Sequence, residues 1–542
     1  MAELMTGEGR PAPAAPTSAA PAPAPGGDLD VLVVGAGPSG LLTAVELLRR
    51  GVRVRVIDRA AEQSLTPKAL SVWPRALDIL EDSGLGDGVA RESVRINTLS
   101  YFSDRQPLAS FGFTDDLACR TLPQHVTERL LTERLERLGG KIERGVRLLA
   151  LDGVDYSGRI DATDGVTAVL EHAGTGRVER LRAPFVVGAD GAGSAVRGQL
   201  GIGFEGSTYE MAFALIDARI EGELPPDACM FYQSPSGALI IVPIPGGIFR
   251  FLSVMPNGAG QADPVAMQAI IDERGPRGVR IKEAVWTAVF RVHARRATAF
   301  QRGRVFLVGD AAHVHSPAGG QGMNNGLQDA HNLAWKLAAV IAGDSPAALL
   351  DSYGTERAEV TRQLVRDTDL QTRAWVAGHP AKVAARDAAF RLLDRSGAVS
   401  RLYAPVMAGR RLSYPPVRDT QRPSGWTGCR ARRALPGALE IGAVLPRRLA
   451  LGYGVAGPGV DPSQWHLAVV PNGDRGWERE LDLITGRHPL LRTVLLRRAE
   501  AADQTGCRAG GYYLVRPDGH IAAHGHARDL DRLEAELRHA FG

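Results

Sequence analysis

The chain has 542 residues, 44% of them hydrophobic, and a formal net charge of +4 at pH 7. It is too long for one hydrophobic core, so about two to four domains are expected, and its small, evenly spread charge favours neither nucleic acid nor membrane as a partner. The four cysteines are far apart and form no CxxC pair, which argues against structural zinc or a disulfide framework and favours a reducing cytoplasm.

The first segment, Met1–Gly27, is rich in proline and alanine and has no cationic start followed by an apolar block. It is expected to be a disordered tail and not a signal peptide. No apolar run approaches the roughly 20 residues needed to cross a bilayer. We therefore expect no membrane partner.

The stretch from residue 28 to residue 58 has the pattern of a strand–helix–strand unit. Val31–Val34 reads as a buried strand, an amphipathic helix is expected over residues 41–50, and a strand over 52–57 ends in Asp58. Between the first strand and the helix lie three glycines in GxGxxG spacing: Gly35, Gly37 and Gly40. A lone GxGxxG is weak evidence, but the accompanying strands, helix and terminal acid together predict dinucleotide binding.

Each part of this unit has a physical role toward a dinucleotide. Gly35 makes the tight turn, Gly37 lets a pyrophosphate approach the backbone, and Gly40 lets helix and strand pack closely. The helix N-terminus offers free N–H groups and the positive end of its dipole to the phosphates. Asp58 is placed to accept hydrogen bonds from a ribose.

Further along the chain, helices and strands alternate in separate blocks. Periodicity predicts helices within 73–84 and over 124–138, 263–274, 325–335, 351–373 and 377–393. Strands are predicted within 91–113, 146–184, 211–254 and 284–292, and again at 305–308, 465–470 and 512–515. A further apolar strand beginning at Phe185 and the strand at 305–308 lead into turns that combine glycine with an acid, at Asp190 and at Gly309-Asp310.

These three turns together resemble class A flavoprotein monooxygenases, the aromatic hydroxylases similar to p-hydroxybenzoate hydroxylase. The most specific part is the run GRVFLVGDAAHVHSPAGGQGMNNGLQDAHNLAWKLA, which begins at Gly303. The resemblance is strong over residues 28–375 and weaker over 428–542, where the stretch GYYLVRPDGHIAAHG resembles the thioredoxin-like domain of the larger phenol and polyketide hydroxylases. Its CxxC is absent, so a structural or oligomerisation role is expected there.

The resemblance implies an α/β fold with a doubly wound FAD-binding domain, an antiparallel substrate sheet and a C-terminal thioredoxin-like α/β domain. The implied boundaries are 28–95, 118–200 and 300–400 for the FAD-binding domain. Residues 96–117 and 201–299 are assigned to the substrate domain, and residues 425–542 to the C-terminal domain.

The resemblance also implies which residues contact FAD. They are Gly35, Gly37, Ser39 and Gly40 at the pyrophosphate, Asp58 at a ribose with the adjacent Arg59, Lys68 at a phosphate, Gln124 at the ribityl region, Asp190 near the pyrophosphate, Gly309 and Asp310 at the ribityl chain, and Pro317, Gly322, Met323 and Asn324 beside the ring. Two positions depart from the family pattern. Lys68 stands where an arginine is common and loses its bidentate fork, and Ser316 replaces a proline that commonly precedes Pro317.

The implied activity is hydroxylation of a phenolic or polyketide substrate through a flavin C4a-hydroperoxide, with O2 and NADPH or NADH as transient co-substrates. Baeyer–Villiger oxygen insertion, flavin-dependent dehydrogenation and a non-catalytic flavin-binding role stay open at this point. No catalytic base is identified. Weak candidates for contact with the reacting groups are Pro317, Tyr232 and Arg250, and ordinary sheet packing explains the last two equally well.

No metal is expected. His313 and His315 alternate on a loop without a carboxylate or thiol at ligand spacing. A second GxGxxG, at glycines 452, 454 and 457, is followed by prolines and reads as a loop, so no separate nicotinamide domain is expected. Whether the chain forms a homodimer is left open.

Overall fold

The computed structural model describes residues 29–157, 159–255, 262–375, 379–415, 439–471, 473, 475–505, 510–526 and 529–541. The predicted tail, Met1–Gly27, lies outside these ranges, as do Cys429 and Cys507. No helix in the described part of the chain is long and apolar enough to cross a bilayer.

The described strands form five sheets. In chain order they are β1 (Val31–Val34), β2 (Val54–Asp58), β3 (Ser71–Val72), β4 (Val94–Arg95), β5 (Thr98–Ser103), β6 (Gln106–Gly112), β7 (Arg120–Thr121), β8 (Ile142–Arg144), β9 (Val146–Asp152), β10 (Val166–His172), β11 (Arg177–Ala183), β12 (Phe185–Gly188), β13 (Phe204–Glu221), β14 (Ala228–Ser234), β15 (Gly237–Ile244), β16 (Ile248–Met255), β17 (Arg280–Ala297), β18 (Gln301–Arg302), β19 (Val305–Leu307), β20 (His313–Val314), β21 (Trp465–Val470), β22 (Leu491–Leu495), β23 (Gly511–Val515) and β24 (Ile521–His526).

The described α-helices lie between and after these strands. They are α1 (Pro38–Leu48), α2 (Pro74–Asp82), α3 (Gly86–Glu92), α4 (Gln124–Arg137), α5 (Ala195–Gln199), α6 (Pro264–Arg274), α7 (Gly322–Ala342), α8 (Asp351–Trp375), α9 (Pro380–Ser396), α10 (Ala404–Met407), α11 (Arg447–Gly452), α12 (Arg475–Thr485), α13 (Arg498–Thr505) and α14 (Leu530–Phe541).

The first sheet has six strands in the order β18-β19-β12-β1-β2-β8. Strand β1 pairs in parallel with β2 and β12, and β12 pairs in parallel with β19. Every residue of β1 and β12 is buried, as expected for parallel strands covered on both faces. The predicted α/β fold is confirmed, and the carboxyl ends of β1, β12 and β19 bring the three glycine and acid turns to one edge of the sheet.

The second large sheet has eight strands in the order β20-β17-β13-β16-β15-β14-β5-β6 and is antiparallel except between β14 and β5. Alternation along the strands gives it two different faces. The outer face packs against α6 through Met267 and Ile271. The inner face carries Tyr101, Phe231 and Ile240, and α9 covers part of it through Phe390.

The C-terminal sheet has four strands in the order β22-β21-β23-β24. Strands β21 and β22 are parallel, whereas β23 is antiparallel to both β21 and β24. Helix α12 connects the parallel pair and α14 follows the last strand, which is the arrangement of a thioredoxin-like α/β unit. Trp465 of β21 packs edge-on against Trp335 of α7, with ring centroids 5.7 Å apart, so this sheet is docked on the larger part of the molecule.

A buried ionic network lies beside this aromatic contact. Glu356 of α8 accepts hydrogen bonds from Lys336 at 2.8 Å and from Arg516 at 2.6 Å, and Arg516 also pairs with Asp518. Lys336 is fully buried and Glu356 is 1% exposed. Burial acts to raise the pKa of Glu356, but Arg516 and Lys336 outweigh this effect and lower it to about 2. The network therefore holds the C-terminal sheet to α7 and α8 through charges that depend on one another.

Replacement of Glu356 by glutamine is expected to lower the free energy of unfolding at pH 7 by about 3 kcal/mol, because Lys336 and Arg516 stay buried without a counter-charge. The folded-state pKa of Glu356 lies below the ordinary value of 4.5, so the carboxylate stabilises the fold above pH 4.5 and loses this effect as the pH falls toward 2. The difference between wild type and variant should therefore shrink in acid. Urea unfolding at several pH values measures it.

The matched control is Glu359→Gln, which alters a half-exposed carboxylate on the same helix that pairs with Arg362. That variant should change the unfolding free energy by less than about 1 kcal/mol at every pH. Equal effects of the two substitutions would contradict the assigned importance of the buried network.

Candidate cofactor and substrate site

The three turns predicted from the sequence converge in direct contact. A Cβ atom added to Gly40 would lie 2.0 Å from the carbonyl oxygen of Gly35, and one added to Gly35 would lie 2.3 Å from the carbonyl oxygen of Ala189. Gly35 has a φ of 109°, which a residue with a side chain rarely adopts. Ser39 Oγ packs against the third turn, 2.4 Å from where a Cβ of Gly309 would lie. The backbone therefore needs glycine at these positions for the turns to meet.

Two helices, α1 and α7, begin close to these turns, and neither N-terminus is capped by a side chain. Helix α1 has Gly37 as its N-cap and no side-chain cap, and the space where a Cβ of Gly37 would lie is open for 4 Å. Helix α7 likewise has no side-chain cap and no acidic residue in its first turn. The first N–H groups of each helix have no acceptor among the described residues. Such termini favour anionic groups, so the pair fits a pyrophosphate at α1 and an electron-rich ring edge at α7.

Asp58 lies at the end of β2 and hydrogen-bonds to the backbone of the first glycine turn. Its Oδ2 accepts a hydrogen bond from the Ala36 N–H at 2.7 Å and its Oδ1 accepts one from the Ala60 N–H at 2.8 Å. Each oxygen keeps a second lone pair for a ribose hydroxyl. Arg59 and Lys68 are exposed on the segment that follows. The position of Asp58 is compatible with the predicted ribose contact.

The Asp190 side chain has several protein partners at the second turn. Its carboxylate accepts hydrogen bonds from the hydroxyl of Ser194 and from the N–H groups of Ala195 at 2.7 Å and Val196 at 3.1 Å. These groups form the start of α5, so the side chain satisfies free helix N–H groups. In this structure Asp190 stabilises the turn beside Gly35, and its position near the pyrophosphate stays a prediction.

Asp310 belongs to the third turn, which is a 3-10 turn over Gly309–Ala311. Its side chain is exposed at the surface, but the surrounding protein removes part of its water. This desolvation raises the pKa of Asp310, although His313 and Lys68 act to lower it. A carboxylate placed there is a free acceptor. It can accept hydrogen bonds from hydroxyl groups, and the ribityl contact stays a prediction.

Behind Asp310 lies a buried network that the sequence reasoning missed. Asp329 of α7 accepts hydrogen bonds from the N–H of Gly309 at 3.0 Å, from His313 Nε2 at 2.6 Å and from Arg357 Nε at 2.6 Å. Asp329 and Arg357 are both fully buried. Burial acts to raise the pKa of Asp329, but His313 and Arg357 outweigh it and lower this pKa. The network fixes the third turn from behind.

The two histidines weighed as metal ligands have other partners. His313 belongs to the network of Asp329, and His315 Nδ1 donates to the carbonyl of Ser316 at 2.9 Å. Burial lowers the pKa of His315 to about 4, so its ring is neutral at pH 7. Among the described residues, no group of three or more His, Cys, Asp or Glu is placed to hold a metal ion.

The loop before α7 is held in place by side chains. Gly319 and Gly320 have φ angles of 73° and 62°, and the carbonyl of Gly319 accepts a hydrogen bond from Trp73 Nε1 at 2.7 Å. Asn324 accepts from the N–H of Trp73 at 2.7 Å and donates to the carbonyls of Ser71 and Gly320. The Asn324 side chain is therefore committed to the loop, and only its backbone N–H is available to a ring.

The remaining predicted contacts surround this loop. Pro317 is half-buried at its start, while Gly322 and Met323 open α7. Gln124 opens α4, where its Oε1 accepts from the N–H of Ala69 at 3.2 Å and its Nε2 donates to Glu128 at 2.8 Å. Both groups of the Gln124 amide therefore have protein partners, and contact with a ribityl chain would use its second lone pair or second N–H.

Replacement of Trp73 by phenylalanine is expected to keep the fold and loosen the Gly319 loop, because a smaller aromatic ring still fills most of the space and one buried hydrogen bond is lost. We expect the free energy of unfolding to fall by about 1 kcal/mol and the amide hydrogens of the loop to exchange faster with solvent. Urea unfolding and hydrogen exchange measure the two effects. Loop exchange identical to that of wild type would contradict the role assigned to the Trp73–Gly319 bond.

Two of the weak candidates for contact with the reacting groups are corrected by the structure. Tyr232 lies on the outer face of the eight-stranded sheet, stacked on Phe102 with ring centroids 4.4 Å apart, because it alternates with the inward Phe231. Arg250 lies on the inner side, but its guanidinium is bound to Asp217 and to the carbonyl groups of Pro67 and Lys68. Arg250 therefore positions the loop that carries Lys68 and is not free to contact a substrate.

The parallel sheet, the three converging turns and the two uncapped helix termini define a dinucleotide-binding α/β protein of the flavoprotein class. Residues 28–368 match the model of the FAD-binding domain family, described as "FAD binding domain". The chain belongs to this family and is an FAD-dependent monooxygenase of the class A aromatic hydroxylases. The family resemblance predicted from the sequence is confirmed.

Three similar proteins match nearly the whole chain. A 6-methylpretetramide 4-monooxygenase from Streptomyces rimosus is 35% identical over 536 residues, which cover 94% of this chain and 93% of that protein. The solved structure of an anhydrotetracycline hydroxylase from Streptomyces rimosus has a TM-score of 0.71 at 27% identity and covers 95% of this chain and 99% of its own. An aklavinone-11 hydroxylase solved with FAD and aklavinone has a TM-score of 0.73 at 26% identity, over 96% and 100% of the two chains.

Proposed function

We propose that this enzyme hydroxylates a phenolic ring of a fused-ring aromatic polyketide, with NADPH as the hydride donor, in natural-product tailoring. The observation that carries the proposal is the inner face of the eight-stranded sheet. It presents flat aromatic and aliphatic side chains beside the loop that is predicted to contact the flavin. Such a face suits a large planar apolar molecule better than a single small phenol.

The aromatic side chains of this face form one continuous group. Tyr101 stacks on Phe231 with ring centroids 4.6 Å apart, and Phe390 of α9 lies 4.7 Å from Tyr101. Nearer the loop, Trp73 packs edge-on against Phe113 at 5.9 Å. The group extends along the sheet through Ile240 and its partly buried neighbours. A planar substrate lying along it would have one edge toward Pro317 and the Gly319 loop.

The names of the relatives support the same substrate class. The 6-methylpretetramide 4-monooxygenase, the anhydrotetracycline hydroxylase and the aklavinone-11 hydroxylase each have a multi-ring compound in their name. The first of them is similar to this chain over almost its full length, including the C-terminal part. We infer that this chain acts on a compound of similar size and aromatic character.

Different residues of the chain would hold different parts of the cofactor. Bound FAD, once reduced by a nicotinamide cofactor, would supply activated oxygen to the aromatic ring. The turn at Gly35–Gly40 and the N-terminus of α1 would hold its pyrophosphate, Asp58 a ribose, and Asp310 the ribityl hydroxyls. The first N–H groups of α7 would stabilise negative charge at the ring edge. Trp73 and Asn324 keep the covering loop closed against water.

We also propose that the chain consists of three parts with different roles. The FAD-binding part comprises residues 28–95, 118–200 and 300–400, and the substrate part comprises 96–117 and 201–299. The C-terminal part, 425–542, is assigned a structural role. The docking of Trp465 on Trp335 and the buried network around Glu356 support that role, because both tie this part to the helices that carry the cofactor turns.

The test is a screen of the FAD-loaded protein with mono-, bi-, tri- and tetracyclic phenols for stimulated NADPH consumption. We expect stimulation to rise with ring number, and product formed under 18O2 to gain one labelled oxygen on an aromatic carbon. NADH is compared in parallel as hydride donor. A labelled ester or lactone product would indicate ring insertion, and an oxidised product without label would indicate dehydrogenation. Either result would overturn the proposal.

A further inference from the structure

Gln233 is a buried polar side chain on the inner face of the sheet. It lies on β14, two residues beyond Phe231, so alternation puts both side chains on the same face. The side chain is 2% exposed, and neither its amide oxygen nor its amide nitrogen has a hydrogen-bond partner among the described residues. Buried amides are almost always paired, so this one is suited to receive a partner from a ligand.

Arg386 of α9 reaches the same place from the opposite side. Its Nε and Nη2 bond to Asp387 at 3.0 and 2.8 Å, and Nη2 also contacts Ser103 Oγ at 3.5 Å. Arg386 is 8% exposed, and its Nη1 is buried with no hydrogen-bond partner in the part of the chain that the structure describes. Asp387 balances the charge, so the arginine offers one unused donor and little net charge.

Strand pairing brings these groups together. Ser103 of β5 and Gln233 of β14 are register partners on adjacent strands, which places their backbones about 5 Å apart. Two residues back along both strands is the stacked pair of Tyr101 and Phe231. One helical turn from Arg386, Phe390 covers Tyr101. The unpartnered polar groups therefore continue the aromatic face directly, at its end beside Ser103.

We propose that Gln233 and Arg386 form a polar anchor for an oxygen-rich end of the substrate, namely a primary carboxamide or an enolised β-dicarbonyl group. The inference rests on the proposed function, because it assigns the end of a planar substrate. Gln233 offers two donors and one acceptor, and Arg386 offers a further donor. A conjugated carbonyl can accept from both side chains, while an enol or amide hydrogen donates to the Gln233 oxygen.

The anchor also sets the direction in which the substrate enters. The polar end of the substrate would lie beside Ser103, and its rings would lie on Tyr101 and Phe231. The ring at the opposite end of the substrate would then lie toward the Gly319 loop. The length of the fused ring system then decides which carbon lies beside the flavin. Selection among ring positions thus depends on the anchor as well as on the shape of the apolar face.

The test measures binding to the FAD-loaded full-length protein without NADPH, by quenching of flavin fluorescence. The probes are anhydrotetracycline, which carries an enolised tricarbonyl carboxamide end, and 2-hydroxyanthracene, which carries fused rings and a phenol without a carboxamide or any carbonyl group. We expect Gln233→Leu to weaken binding of the first probe by roughly tenfold and to leave the second nearly unchanged. Arg386→Lys keeps the pair with Asp387 and should weaken the first probe by a smaller factor.

The matched control is Tyr232→Phe, on the same strand but on the outer face, with no hydrogen bond from its hydroxyl in the described structure. It should leave both probes unchanged. Thermal unfolding of each variant separates loss of fold from loss of the anchor. Equal weakening of both probes by Gln233→Leu, or no weakening of either, overturns the anchor, as does absence of any binding of the first probe to wild type.

Turnover under 18O2 is measured separately on the same proteins. A selective loss of anhydrotetracycline binding in Gln233→Leu without labelled product from wild type would support the anchor and contradict the proposed hydroxylation. Labelled product from wild type with an unchanged KM in Gln233→Leu would support hydroxylation and contradict the anchor. The two proposals can therefore fail independently.

Discussion

Replacement of Asp329 by alanine is expected to lower the free energy of unfolding by about 3–5 kcal/mol and to leave most of the purified protein without FAD. The reason is that Arg357, which is fully buried, would lose its counter-charge, and the N–H of Gly309 would lose its acceptor. The third turn would then be free to move away from Ser39. Chemical unfolding and the ratio of flavin to protein absorbance measure the two effects.

Two further variants distinguish this network from a general effect of losing an aspartate. Asp329→Asn keeps an acceptor for Gly309 but removes the charge, so it should retain more FAD than the alanine variant while still being destabilised. Asp482→Ala removes an exposed carboxylate on α12 that has no side-chain partner among the described residues, and it should change stability by less than about 0.5 kcal/mol. Full FAD content in Asp329→Ala would contradict the role assigned to the network.

The second large effect is expected at Gly40. In Gly40→Ala the new Cβ would lie 2.0 Å from the carbonyl oxygen of Gly35 and 3.0 Å from the Cβ of Ala189. The first of these is backbone and cannot move aside without opening the turn, so we expect a loss of about 3 kcal/mol or more in stability and no stable FAD complex. Thermal unfolding with and without added FAD, together with flavin content after gel filtration, measures the result.

Gly37→Ala and Gly354→Ala are the matched comparisons. Gly37 has open space around the position of a Cβ and a φ of −77°, so its substitution should leave the fold intact and weaken FAD binding, because the pyrophosphate approaches the backbone there. Gly354 has open space and lies within α8, so alanine should be neutral or stabilising by about 0.5–1 kcal/mol. A Gly40→Ala protein that retains FAD as well as these controls would refute the packing argument.

Local patterns in the sequence predicted the elements of the cofactor site because local chemistry decides them. The GxGxxG turn, Asp58 and the Gly309-Asp310 turn each follow a short apolar strand, and the parallel sheet brings such strand ends to one edge. Their convergence is accordingly seen in the contacts of Gly35 with Ala189 and of Ser39 with Gly309. Helix ends were less accurate. The helix predicted from residue 325 begins at Gly322, because the Asn325 N–H already donates to the carbonyl of Gln321.

The parts that the sequence did not predict depend on pairing between distant segments. Nothing local indicates that Asp329 faces Arg357, although Asn325, Asp329, Asn332 and Lys336 recur at helical spacing and form a polar stripe on α7 that signals a buried partner. The face on which Tyr232 lies could not be decided without the strand register, since a shift of one residue exchanges the two faces. Gln233 and Arg386 both lie beside Ser103 only because α9 packs over β5 and β6.

The adjacent residues Glu356 and Arg357 of α8 serve two different partners. Glu356 binds Arg516 of the C-terminal part, whereas Arg357 binds Asp329 behind the cofactor turn. A shift of α8 would disturb both contacts at once. The affinity for FAD and the free energy that holds the C-terminal sheet in place are therefore thermodynamically linked. A protein truncated before the C-terminal sheet would therefore expose the charged groups of Lys336 and Glu356 to water. We expect such a protein to lose FAD, and with it the yellow colour of the flavin.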